Sequence, residues 1–231
     1  MKKQYNYLLW DIDDTLIDFK TSEKTALKKC FEVYGISLTA EDIAVYSTIN
    51  RNYWTLLEQG KIEKKVLLHQ RFDDFIAHLS LENIDGTTLN EAYQLAIGEY
   101  AVLHEDALAL CQQLKGIKTQ YAITNGTAMA QKMKLEKTGL DSVFDGVFIS
   151  DEVGHQKPAV QFFNYVMEQI PNFIKDEALV IGDSLSSDMK GANLSGIDCC
   201  WFNPEGNQNT DTSLQIDYEI KSLKELLSIL E

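Results

Sequence analysis

The sequence predicts an α/β fold: a Rossmann-like, doubly wound parallel sheet with an all-helical subdomain inserted after its first strand. Three observations predict it. Short apolar runs alternate with helical patterns through most of the chain, one long interval holds helical patterns only, and four of the runs stop at polar residues suited to one chemistry. The runs at 5–10, 119–123, 146–149, 178–181 and 198–202 read as buried strands, with 218–220 as a last short one. Helical patterns at 106–114, 128–138, 159–169 and 188–194 lie between them. Such alternation implies right-handed crossovers and a parallel sheet.

The interval 18–101 breaks this rhythm. It holds amphipathic helices, for example at 23–33, 41–59 and 64–79, and no convincing strand. A structureless loop of that length is foreign to compact domains. The spacing therefore predicts a catalytic core of residues 1–17 and 102–231 and a helical cap of residues 18–101.

A chain of 231 residues suits one large domain, or a core with a smaller insert. Its 21 Lys and Arg against 35 Asp and Glu give a net charge of −14, spread along the chain. Such a surface opposes nucleic-acid polymers and anionic membranes as partners, yet it is compatible with a small anion held by a metal in a local pocket. Cys30, Cys111, Cys199 and Cys200 show neither paired nor metal-type spacing and read as reduced core residues. The first apolar run is too short for a signal peptide, and no stretch approaches the roughly 18 apolar residues of a membrane span. The expected location is the cytoplasm.

Asp11 and Asp13 directly follow the first strand. Alternation along an extended chain makes both carboxylates project the same way, from the end of the strand where open parallel sheets bind ligands. Two anions so close repel unless a cation or a shared proton intervenes, which points to a divalent metal and phosphoryl chemistry. Asp11 is placed as a nucleophile that accepts a phosphoryl group. Asp13 is placed to protonate the leaving oxygen and later to deprotonate water. Asp14 is assigned no role; solvation or a turn cap accounts for it.

Thr124, Asn125 and Gly126 follow the second strand. A hydroxyl with backbone N–H groups at a helix N-terminus suits a phosphate oxygen, although an Asn-Gly turn capped by Thr reads the same way. Lys157-Pro158 precedes a helix whose start the proline fixes. Its ammonium could neutralise both Asp11 and a phosphate, or simply be solvated. Asp183 ends the run at 178–181 and Asp188 opens the next helix. Mg²⁺ takes octahedral oxygen ligands and keeps waters. Asp11, the Asp13 backbone carbonyl and Asp183 would supply three of them, and Asp188 would orient Lys157 or a metal-bound water. Each piece alone is ambiguous, but all four fall at the same end of separate strands.

The order Asp11-x-Asp13-x-Thr15, Thr124-Asn125-Gly126, Lys157-Pro158 and Gly182-Asp183-Ser184 with Asp188 resembles the haloacid dehalogenase (HAD) superfamily of phosphatases. Motifs and cap position cover nearly the whole chain. The resemblance implies a Rossmann-like core, a helical cap between the first two motifs, Mg²⁺ dependence and a phospho-aspartate at Asp11. It also implies Asp13 as acid–base, Thr124 and Lys157 as phosphate ligands and Asp183 as a metal ligand. More narrowly, residues 9–19 and 150–158 are similar to the YjjG/YfnB branch. That similarity implies a nucleoside 5′-monophosphatase acting on pyrimidine nucleotides. Trp10 stands where Phe is common in the family and is expected to face the core.

A dehalogenase of the same superfamily would not need Asp13, because no leaving oxygen takes a proton. A sugar-phosphate phosphatase or a phosphomutase uses the same core residues and stays open. A phospho-aspartate signalling receiver fits poorly, since here the metal-type Asp183 comes last and a large cap intervenes. The cap is expected to choose the substrate. Asn50, Arg51, Trp54 and Arg71 are its candidates to meet a base or ribose, with packing or surface roles open for each.

Overall fold

Residues Tyr7–Trp10 form β1, and successive side chains along it enter different cores, as the pleat requires. Leu8 and Trp10 join Ala122, Leu179, Ile181, Cys200 and Phe202 on one face of the sheet. Leu9 joins Ile123, Val180, Cys199 and Trp201 on the other. A strand buried on both faces needs helices on both, and the chain supplies them by crossovers. The computed structural model describes residues 3–231.

After β1 the chain runs into α1 (Phe19–Glu32), α2 (Ala40–Glu58), α3 (Lys64–His78) and α4 (Gly86–Glu99). Their starts are chemically marked. Asp18 accepts from the Thr21 amide at 2.9 Å, Thr39 and Asp42 close a capping box, and Asp85 accepts from the Thr88 amide at 2.8 Å. The four helices pack around an apolar cluster of their own that includes Leu27, Phe31, Tyr46, Phe72, Phe75, Leu89 and Tyr93. Tyr46 is its hub, with ring centroids 5.2 Å from both Phe72 and Phe75. Sequence reading had not singled out α4.

The chain then continues through α5 (Ala107–Leu114), β2 (Thr119–Thr124), α6 (Ala128–Thr138), β3 (Gly146–Ile149), α7 (Ser150–Val153), α8 (Val160–Gln169) and β4 (Ala178–Gly182). It closes with α9 (Lys190–Ser195), β5 (Asp198–Phe202), β6 (Tyr218–Ile220) and α10 (Leu226–Leu230). Among the described residues the six strands form one parallel sheet in the order β3-β2-β1-β4-β5-β6. Trp10 is in register with Ala122 of β2 and Ile181 of β4. The residues just beyond β1, β2 and β4 therefore emerge side by side at the sheet's carboxyl edge.

Two local expectations shift. The helix expected from 188 starts earlier, as a π-type turn over Leu185–Met189 that runs into α9. Ser184 organises it, accepting from the Ser187 amide at 3.2 Å. Pro158 does not occupy the first turn of α8; Ala159 caps that helix. The four cysteines are buried and unpaired. Among the described residues no helix is long and apolar enough to cross a membrane.

Candidate active site

A cavity of about 230 Å³ lies at the carboxyl ends of β1, β2 and β4, with Trp54, Glu58, Arg71, Tyr93 and Ile97 of the helical insert along its wall. Asp11, Asp13, Thr124, Asn125, Lys157, Asp183 and Asp188 all border it. Seven residues scattered through the sequence thus meet at one place.

The buried Lys157 ammonium sits between two carboxylates, 2.5 Å from Asp11 Oδ1 and 2.7 Å from Asp188 Oδ1. It also donates to the Ile123 carbonyl at 2.8 Å. Burial alone would lower its pKa, but Asp11 and Asp188 outweigh burial and hold it above the ordinary lysine value. Thr15 donates to Asp11 Oδ2 at 3.0 Å and accepts from the Asp183 amide at 3.1 Å, tying the β1 and β4 edges together.

Asn125 clasps the backbone of Lys157 at both ends. Its Oδ1 accepts from the Lys157 amide at 2.8 Å and its Nδ2 donates to the Lys157 carbonyl at 2.9 Å. This side chain thereby braces the loop that carries Lys157 against the end of β2.

The carboxylates are crowded. Burial pushes Asp11 up to about 7; Lys157 opposes this, while Asp188 and Asp13 add to it. Burial, Asp11 and Asp188 likewise raise Asp183 well above the ordinary carboxylate range. One oxygen from each of Asp11, Asp183 and Asp188 lies within 4.8 Å of the others. Such a set favours a cation. Both Asp188 oxygens are already engaged, Oδ1 by Lys157 and Oδ2 by the Ser184 amide at 3.2 Å. Asp183 Oδ1 has only a long contact of 3.4 Å from Thr15. Asp183 is thus the carboxylate freer to take a cation, while Asp188 braces Lys157. Gly182 makes room for that brace, since a Cβ there would lie 2.3 Å from Asp188 Oδ2.

Sequence reasoning missed Lys134 and Gln131. Both lie on α6 and hold the Asp13 carboxylate, which faces the same cavity. The signal was present: the buried stripe Ala130, Gln131, Lys134 and Leu135 puts a lysine on a face that packing would fill with apolar residues. Asp14, assigned no role, borders the cavity in a left-handed conformation at φ 61°, and burial with the neighbouring Asp13 raises its carboxyl to about 6.

Of the four substrate-choosing candidates, Trp54 and Arg71 border the cavity, whereas Asn50 and Arg51 do not. Trp54 shares a helix face with Glu58 one turn on. Asn50 is buried and points into the insert, donating to Glu23 Oε1 and accepting from Arg71 Nη1, each at 2.8 Å. Its part is to brace Arg71. Arg51 is exposed.

A family model for haloacid dehalogenase-like hydrolases matches residues 5–196. The chain belongs to that family. It is a hydrolase, and it is similar over nearly its full length to proteins of one branch. It is 35% identical to the pyrimidine 5′-nucleotidase PynA of Streptococcus pneumoniae, covering 98% of this chain and 95% of that protein. It is 32% identical to the pyrimidine 5′-nucleotidase YjjG of Escherichia coli, covering 98% of each. A magnesium-bound crystal structure of YfnB from Bacillus subtilis, which reveals interdomain movement, superposes with a TM-score of 0.94. That protein is 38% identical, with 99% of this chain and 100% of the other covered.

Proposed function

We propose that this hydrolase is a Mg²⁺-dependent phosphomonoesterase that works through an aspartyl-phosphate on Asp11, and that its substrates are pyrimidine nucleoside 5′-monophosphates. The observation that carries this reading is the Asp11 carboxylate, buried at the cavity floor with Lys157 on one oxygen and Thr15 on the other. These contacts leave Asp11 little rotational freedom, so its attack geometry is set before substrate arrives.

Asp11, the Asp13 backbone carbonyl and Asp183 are the groups that would hold Mg²⁺. The ion, when bound, draws in a phosphate oxygen and offsets its charge. A carboxylate oxygen of Asp11 forms a bond to phosphorus while the bond from phosphorus to the 5′ oxygen breaks. The electron pair stays on that oxygen, which takes the proton of Asp13 and leaves as the nucleoside alcohol. Water then attacks phosphorus and gives a proton to Asp13, and the bond to Asp11 breaks to release phosphate. Lys157 and Thr124 steady the phosphoryl oxygens in both halves.

We further infer that residues 18–101 act as a cap that chooses the substrate. Trp54, Tyr93 and Ile97 offer an apolar wall opposite the charged floor, and Arg71 adds a donor-rich cation. Two relatives of this branch are pyrimidine 5′-nucleotidases. A phosphate-release panel in Mg²⁺ tests the reading, with UMP, dUMP and dTMP set against purine monophosphates, hexose phosphates and an aryl phosphate. Preference for the pyrimidine nucleotides is expected. A preferred hexose phosphate would overturn the substrate, and phosphate returned to the sugar would make the protein a mutase.

A further inference from the structure

We infer that Lys134 and Gln131 are positioning residues for proton transfer by Asp13, an inference that rests on Asp13 being the acid of the reaction above. Asp13 lies in the loop after β1, and its side chain is 27% exposed at the cavity wall. A carboxylate so placed would sample several rotamers. Both of its oxygens are instead held from α6. Lys134 Nζ lies 2.7 Å from Oδ1 and 2.8 Å from Oδ2, and Gln131 Nε2 donates to Oδ2 at 2.8 Å.

The two anchors are themselves fixed. The Lys134 side chain is only 3% exposed and its ammonium sits 5.0 Å from the centre of the Phe19 ring. The same Gln131 nitrogen donates to Thr124 Oγ1 at 2.8 Å, so one amide links the acid to the phosphate-binding threonine. Gly126 permits this, because a Cβ there would lie 2.1 Å from Gln131 Nε2. The arrangement is costly for folding alone. Burying an ammonium carries a desolvation penalty that an apolar residue between Ala130 and Leu135 would avoid, and Gln131 Oε1 is buried with no partner.

The chemistry supplies the reason. In the first half-reaction the proton passes from Asp13 to the leaving oxygen as its bond to phosphorus breaks, and Asp13 is left as a carboxylate. Lys134 and Gln131 stabilise that carboxylate in place, and they keep it aimed at the cavity for the water of the second half-reaction.

The test compares kcat/KM, which reports the first half-reaction, for a nucleoside 5′-monophosphate and for nitrophenyl phosphate in the full-length enzyme with Mg²⁺. An alkoxide needs the proton; nitrophenolate departs without it. General acid catalysis contributes about 10²–10⁴, so Asp13→Asn should lose far more with the nucleotide than with the aryl ester. Lys134→Met should follow it, its loss with the nucleotide exceeding its aryl loss by about tenfold or more, a part of that full effect. Gln131→Met should shift the same ratio less, and it serves if Lys134→Met does not fold by thermal melting. Equal losses on both esters in the α6 variants, beside a selective Asp13→Asn, would overturn the positioning role. A non-selective Asp13→Asn would instead overturn Asp13 as the acid, and this inference with it.

Discussion

Replacing Lys157 by Met should cost this fold several kcal/mol, by an amount that grows with pH. The ammonium is the cation within hydrogen-bonding distance of two buried carboxylates, Asp11 and Asp188. Removing one partner of a buried ion pair costs about 3–5 kcal/mol. For a chain of this length each kcal/mol lowers Tm by about 2–4 °C, so a fall of about 6–20 °C is expected at pH 8 without metal. The pH sign follows from Asp11, whose carboxyl is raised from 3.8 to about 7, chiefly by burial. The native state then holds a proton that the unfolded chain has released, so this protonation stabilises fully below about pH 4. That contribution is lost as pH rises through the folded value. Lys157 limits the loss by favouring the carboxylate. Without it the carboxyl rises further, so Lys157→Met should lie closer to the parent protein at pH 5 than at pH 8. Mg²⁺ should recover part of the difference at pH 8 by offsetting the same acidic cluster. Differential scanning fluorimetry at both pH values, with EDTA or Mg²⁺, reads all of this. A fall under about 2 °C at pH 8, or a larger one at pH 5, would refute the electrostatic account.

Three further outcomes are expected. Asp11→Asn should abolish phosphate release while circular dichroism and melting stay near those of the parent, and appreciable residual turnover would refute the phospho-aspartate route. Gly182→Ala places a methyl 2.3 Å from Asp188 Oδ2. Urea unfolding should show an overpacking cost of about 1–3 kcal/mol, with activity falling because the Lys157 brace shifts. Lys64→Met removes an ammonium at the start of α3 that reaches Gly126 O at 3.1 Å and Ser150 Oγ at 3.0 Å. Hydrogen bonds to a charged group contribute about 1.5–3 kcal/mol, so steady-state kinetics should show KM raised about tenfold or more if these bonds help hold the helices over the cavity. An unchanged KM would show that they do not.

The sheet was legible because its inner strands are buried on both faces, so Leu8, Leu9 and Trp10 read as a continuous apolar run that stops at Asp11. The polar residues that follow β1, β2 and β4 could be assembled without coordinates, since parallel register brings such ends abreast. What the sequence withheld depends on helix phase and on contacts between distant elements. Arg51 and Trp54 are three residues apart on α2, yet only Trp54 reaches the cavity. Asn50 lies one turn before Trp54, and it is absorbed by Glu23 and Arg71 because α1 and α3 cover that part of the helix. The two α6 residues that hold Asp13 lie 118 and 121 positions away from it. Neither follows a strand, so a reading built on strand ends passes over them. A lysine on a buried helical stripe was the available sign, and its meaning required knowing which carboxylate it faces. The Asp13 carboxylate, the acid–base group of the proposed reaction, is therefore anchored by a helix rather than by a strand end. Substitutions of Gln131 and Lys134 should accordingly perturb chemistry before they perturb the fold, whereas those of Ala130 and Leu135 on the same helix, which pack into the apolar cores, should do the reverse.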